Sequence, residues 1–302
     1  MKRFIKLSFF YFFAFVSILI AVLYSFSEIV KNRSFEQHET ESNLLVMKED
    51  TKYDVLFVGI SHARNFSRHN NHQRVEGLLG EKIFNIGQGG GACGVNEQLF
   101  YLDYFYHKGN SVRKVVYILS PPLMYSNDLP IASNTFDLEP FDFHFLSRYM
   151  FFETENKGER VINYLQSKVS KKWLSHTPYS LDEKVEELDS LDYNIVKEGQ
   201  KSAYNDSLKK VRFVKSSKRI EETIELAINN GSEVLLIIPP ALFGKWNSHE
   251  NVLEYAKKMA VKNTVKYLDL SESVLKPKYY YDHHHLNSKG IDYFVSVFLM
   301  NE

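Results

Sequence analysis

The sequence predicts an α/β fold: a three-layer sandwich with a five-stranded, mainly parallel sheet of the flavodoxin-like kind, plus an N-terminal transmembrane helix and a helical insertion. Three observations lead there. Five short apolar runs recur from residue 53 onward, each stopped by Gly, Pro or a polar turn. Segments with helical spacing lie between them. A long uninterrupted apolar stretch precedes them all.

At the N-terminus, Lys2, Arg3 and Lys6 lead into residues 7–26, all apolar, aromatic or small hydroxyl residues. About twenty such residues span a hydrocarbon core as a helix. The basic residues upstream favour the cytoplasm, which places the rest of the chain on the extracytoplasmic side. A cleaved signal peptide is the competing reading, but no clean small-x-small site follows; Ser25 and Ser27 are the best pair. A retained anchor over 1–27 is therefore expected, then a polar stalk over 28–52 and a domain over 53–302.

The strands expected in that domain are residues 53–59 (YDVLFVG), 82–87 (KIFNIG), 114–119 (KVVYIL), 233–238 (EVLLII) and 265–270 (VKYLDL). Their character is continuously apolar rather than alternating, as in a parallel sheet covered on both faces. Helices are expected at roughly 63–80, 94–109, 208–230, 250–263 and 288–300. Residues from about 125 to 205 break the rhythm, first aromatic, then charged and helical. A stretch of that length is seldom plain connection. A lid over the site and a helical insertion on the sheet edge both fit.

Composition narrows the function. The 37 basic residues balance 37 acidic ones, which argues against phosphate neutralisation and so against a nucleic-acid partner. The single cysteine, Cys93, excludes an intramolecular disulfide and a cysteine metal cluster, and reads as a small packed residue.

In open parallel sheets, ligands bind beyond the carboxyl ends of the strands. Three groups of residues fall there. Ser61, in Gly59-Ile60-Ser61-His62, follows the first strand at the start of a helix, whose N-terminus favours negative charge. A lone serine there more often caps a helix than attacks a carbonyl. The stretch Asn85-Ile86-Gly87-Gln88-Gly89-Gly90-Gly91 lets backbone N–H groups approach a ligand, or forms a simple turn. A dinucleotide fingerprint would follow the first strand instead. The third group is Tyr281-Asp282-His283-His284-His285-Leu286-Asn287. Asp282 and His285 fit in one turn, where the carboxylate orients an imidazole that accepts the serine proton. Adjacent histidines are expected to point apart, and no carboxylates or cysteines stand at ligand spacing, so neither metal nor cofactor is expected. His62 is expected to turn away from Ser61. Arg64 is expected to face solvent, with contact to an anionic substrate as the alternative.

Together these blocks resemble the SGNH (GDSL-like) hydrolase superfamily across roughly residues 53–300. The resemblance implies Ser61 as nucleophile, Asp282 and His285 as its partners, and the Ser61 and Gly87 amides as oxyanion donors. Ile60 stands where the family often has Asp. The third block ends in Ser120-Pro121-Pro122 with no asparagine until Asn127, so Asn127 or Ser120 is the candidate third donor. Anchored SGNH-like proteins with such a third block resemble the envelope acyl-transfer group of teichoic-acid D-alanylation and of alginate or peptidoglycan O-acetylation. That implies an esterase or O-acyltransferase acting on an acylated glycan or envelope polymer, partnered by a membrane-bound O-acyltransferase. The alternative is a non-catalytic SGNH-fold envelope protein that binds glycan or scaffolds a polysaccharide synthase.

Overall fold

The computed structural model describes residues 1–34, 47–89, 94–125, 139–152, 156–175, 183–204, 210–261 and 265–300. The chain divides into two compact units, Met1–Glu39 with Ser133–Pro178, and Thr40–Ala132 with Tyr179–Glu302.

The elements run α1 (Lys2–Ser34), β1 (Lys52–Val58), α2 (Ser61–Arg64), α3 (Asn71–Leu79), β2 (Ile83–Asn85), α4 (Val95–His107) and β3 (Ser111–Ile118). They continue with α5 (Phe143–Phe151), α6 (Lys157–Ser167), α7 (Lys171–Leu174), α8 (Tyr193–Ala203) and α9 (Lys210–Asn229). The chain then forms β4 (Glu233–Ile238), α10 (His249–Ala260), β5 (Val265–Asp269) and α11 (Ser288–Phe294).

In the second unit the five strands pair in the order β2-β1-β3-β4-β5, all parallel. The predicted α/β class and all five strand positions hold. Each central strand is buried along nearly its whole length, the property read from their unbroken apolar runs. Alternate residues face opposite layers. Val55, Phe57, Val116, Ile118, Leu235 and Ile237 pack with Val75 of α3 and Ile291 and Phe294 of α11. On the other face α4 packs against α9, whose buried Ile220, Ile224 and Ala227 recur at helical spacing. Full burial of one such side chain contributes about 1.5–3 kcal/mol, so this double-sided core holds the sheet.

The strand order places the topological switch at β1, which pairs with β2 on one side and β3 on the other. Ser61 follows the end of β1 at that switch.

The helix expected over 63–80 is two helices. Residues 65–70 form turns, and His69 and Asn70 adopt left-handed backbone conformations that interrupt an α-helix. The last helix changes at Val295–Leu299 to a wider-wound π turn.

In the first unit, α1 is long and apolar enough to cross a membrane by length and composition, and most of its apolar residues are exposed. It stays helical to Ser34. Near its end Ser27 is buried, and its Oγ accepts the Phe141 N–H at 2.8 Å. The Arg33 guanidinium donates to the Leu174 carbonyl at 2.7 Å. Asp142 caps α5 by accepting the N–H groups of His144 and Phe145. Lys168 is fully buried, its ammonium 4.5 Å from the ring centres of both Tyr164 and Trp173. The described residues 139–175 thus belong with α1, whereas 183–204 belong with the sheet.

Candidate active site

The site begins with Gly59. Its φ is +149°, and a Cβ there would lie 2.9 Å from both the Ile118 carbonyl and the Ala63 Cβ. Only glycine allows the chain to leave β1 so sharply. The next turn is α2, in which Ile60 occupies the cap position and Ser61 is the first helical residue. The Ser61 hydroxyl instead meets His285 Nε2 at 2.7 Å.

Asn85, at the end of β2, joins that strand to the serine turn. Its amide donates to the Ala63 carbonyl and its Oδ1 accepts the Gly87 N–H, both at 2.8 Å. A Cβ on Gly87 would stand 2.6 Å from the Arg64 nitrogen, so this close approach also requires glycine. The Gly87 N–H is therefore already engaged. Arg64 lies over Gly89, where a Cβ would come within 2.6 Å of its guanidinium, rather than reaching into solvent. Gly90, Gly91, Cys93 and Asn127 lie outside the described residues.

The histidine loop arrives from β5. Asp282 shapes it: Oδ1 accepts the N–H groups of His284 at 2.9 Å and His285 at 2.7 Å, while Oδ2 meets His285 Nδ1 at 2.7 Å. The loop is tethered on several sides. Asn65 donates to the Leu286 carbonyl, Leu242 N–H to the His283 carbonyl, and Asp192 N–H to His283 Nε2. Asn287 caps α11 by accepting the Gly290 N–H, and its amide donates to the carbonyls of Glu186 and Lys278. The Tyr281 ring stacks on His285, 5.6 Å between centres and 8° from parallel. Residues 183–192 thus buttress the loop, a role with no local sequence signal.

Electrostatics set the proton positions. Burial by itself raises the Asp282 carboxyl, but the His285 hydrogen bond and the neighbouring imidazoles outweigh it and hold it well below the usual range. An ionised carboxylate only accepts, so His285 Nδ1 carries a proton, and Nε2 is the nitrogen that faces Ser61. Burial, then the like charge of His285, pushes His284 down to about 3. Burial, with His285 and His284 nearby, holds His62 well below 6.5. An apolar cavity walled by Phe66, Ile118, Pro240 and Leu286 opens beside these two rings, which explains the desolvation.

Two expectations about the histidines fail. His62 does not turn away: its ring lies 4.9 Å from that of His285 and 5.4 Å from that of His284. Its Nδ1 bonds to Ser120 Oγ at 2.8 Å, which occupies that fully buried hydroxyl. Nor do His284 and His285 diverge; their centres are 4.0 Å apart because the Asp282 turn folds both rings to one side. One nitrogen from each of the three rings lies within 4.8 Å of the others.

No family model and no curated protein sequence matches the chain. Among solved structures, a similar chain is a Bacteroides fragilis NCTC 9343 protein described as a "putative acylhydrolase". Identity is 15% and the TM-score 0.40, over 85% of this chain and 90% of that one. A likeness of that size carries no chemistry across.

Proposed function

We propose that the protein is an SGNH-type ester hydrolase or O-acyltransferase, held at a membrane by α1 and acting on an acylated glycan or envelope polymer from the extracytoplasmic side. The observation that supports this reading is the continuous relay from Asp282 Oδ2 to His285 Nδ1 and from His285 Nε2 to Ser61 Oγ, each 2.7 Å.

Ser61 Oγ attacks the ester carbonyl as its proton passes to His285 Nε2. Asp282 keeps the imidazole oriented and stabilises the imidazolium. His285 then gives the proton to the departing alkoxide. Water, or a sugar hydroxyl in the transfer reaction, attacks acyl-Ser61 while His285 takes its proton and returns it to Ser61 Oγ. Such acid–base work contributes on the order of 10²–10⁴-fold in rate. The Ser61 N–H, on the first turn of α2, and the Gly87 N–H serve as oxyanion donors, with Asn127 as candidate third donor. Gly87 would share its proton between the oxyanion and Asn85 Oδ1. Arg64, beside Gly89, is the candidate contact for an anionic substrate. A membrane-bound O-acyltransferase would supply the acyl group. The reading needs no cofactor and no nucleic acid. It takes 1–27 as anchor, 28–52 as stalk and 53–302 as the domain, with an insertion at about 125–205.

The test uses the full-length protein in detergent micelles, a fluorophosphonate probe and an aryl acetate. Wild type is expected to label and turn over, and Ser61→Ala to do neither. Equal behaviour of the two sinks the nucleophile assignment. The engaged Gly87 N–H favours a second reading, a non-catalytic SGNH-fold protein that binds glycan or scaffolds a synthase. That reading gains if wild type binds acylated glycan without turnover and Ser61→Ala binds it equally.

A further inference from the structure

The convergence of His62 and His284 on His285 goes beyond what the proton relay needs. The three rings come from two separate segments, the serine turn and the loop before α11. One nitrogen from each lies within 4.8 Å of the other two. His62 Nδ1 is committed to Ser120 Oγ at 2.8 Å, so Nε2 is the nitrogen left to serve a ligand. His285 Nδ1 is fixed by Asp282 in the same way, and its Nε2 faces Ser61. An imidazole whose second nitrogen is held by a carboxylate or hydroxyl is the arrangement that orients histidines toward a metal.

The chemistry of the donors selects the ion. Three imidazoles with an open fourth position suit a zinc-class divalent ion, whereas calcium and magnesium take oxygen ligands. Zn–N bonds of about 2.1 Å put tetrahedral nitrogens roughly 3.4 Å apart, against a present spacing within 4.8 Å. We propose that His62, His284 and His285 bind one zinc-class divalent ion, and that the ion switches Ser61 off by taking the His285 Nε2 lone pair. The switching half rests on the hydrolase reading; the binding half does not.

The experiment starts with metal-stripped full-length protein in micelles. Calorimetry with zinc chloride is expected to give one ion per chain. His284→Gln should weaken binding about 30-fold or more, and Ser61→Ala should bind at least as well as wild type. Cobalt added to wild type should produce the visible absorption of a four-coordinate nitrogen site, a readout that needs no variant. Absence of that band, or no zinc binding by wild type below about 100 μM, overturns the site. So does a His284→Gln affinity within about threefold of wild type. With an aryl acetate, zinc should inhibit wild type at the calorimetric affinity and chelation should restore turnover. The inhibition constant should rise about tenfold or more in His284→Gln, whatever that variant's own turnover. Zinc bound without turnover in any metal state supports the site while removing the hydrolase reading. Turnover untouched by saturating zinc overturns the switch.

Discussion

Among the described residues, His285 and His249 each hydrogen-bond both a carboxylate and a serine hydroxyl, and their connections differ. At His285 the groups use opposite ring nitrogens, Asp282 on Nδ1 and Ser61 on Nε2, both at 2.7 Å. At His249 they share one: Nε2 lies 3.0 and 3.1 Å from the Asp269 oxygens and 3.2 Å from Ser271 Oγ, while Nδ1 faces Glu250 at 3.3 Å. A nitrogen whose proton belongs to a carboxylate has no lone pair for a hydroxyl proton. His249 begins α10 and Asp269 ends β5, so this cluster clamps a helix to the edge strand. Ser271 is also buried at 3% exposure, beyond a substrate's reach. The same three residue types thus make a relay or a strut, according to which nitrogen meets which oxygen.

The largest effect separates the two serines. Ser61→Ala is expected to lower kcat/KM for an aryl acetate by about 10³-fold or more, and Ser271→Ala to leave it within about twofold. A large loss in Ser271→Ala would break the distinction. The two carboxylates come next. Asp282→Asn should lower kcat on the order of 10²–10³-fold by releasing His285. Asp269→Asn should leave kcat in place and lose about 1–3 kcal/mol of stability, read by denaturant unfolding.

Acid stability gives a third, smaller contrast. His284 is held down to about 3 in the folded protein, against 6.5 ordinarily. Between those values the unfolded chain binds a proton that the folded one does not, so stability is full above 6.5 and falls as pH drops toward about 3. His62 acts in the same direction. Asp282, also depressed, adds a loss that begins as pH falls through its ordinary value of 3.8. The melting temperature should therefore drop between pH 7 and pH 5 (about two units) less steeply in His284→Gln than in wild type. Parallel curves would show that His284 is not held neutral by the fold. The smallest effect is expected at Tyr281, whose ring stacks on His285. Tyr281→Leu should lower kcat about threefold with KM unchanged, since a stacked pair contributes about 0.5–1.5 kcal/mol.

The parts legible in the sequence are those whose physics is local. Five apolar runs stopped by Gly, Pro or polar turns mark the strands, because burial on both faces needs that character in each strand separately. The N-terminal apolar run forms a helix long and apolar enough to cross a membrane, a property of length and composition alone. Asp282 and His285 stand three residues apart, and a carboxylate folding back on the next turn's N–H groups is a short-range device. Tertiary structure decided what meets across long separations. Ser61 and His285 are 224 residues apart, and Ser120 and His62 are 58. Their meeting depends on the order β2-β1-β3-β4-β5, which is chosen by burying both sheet faces at once. The same long-range packing split the helix expected over 63–80 and laid Arg64 over Gly89. It also tied the Gly87 N–H to Asn85 and brought His62 beside two histidines more than two hundred residues away. None of these leaves a periodic trace, because each depends on which surfaces the sheet places side by side.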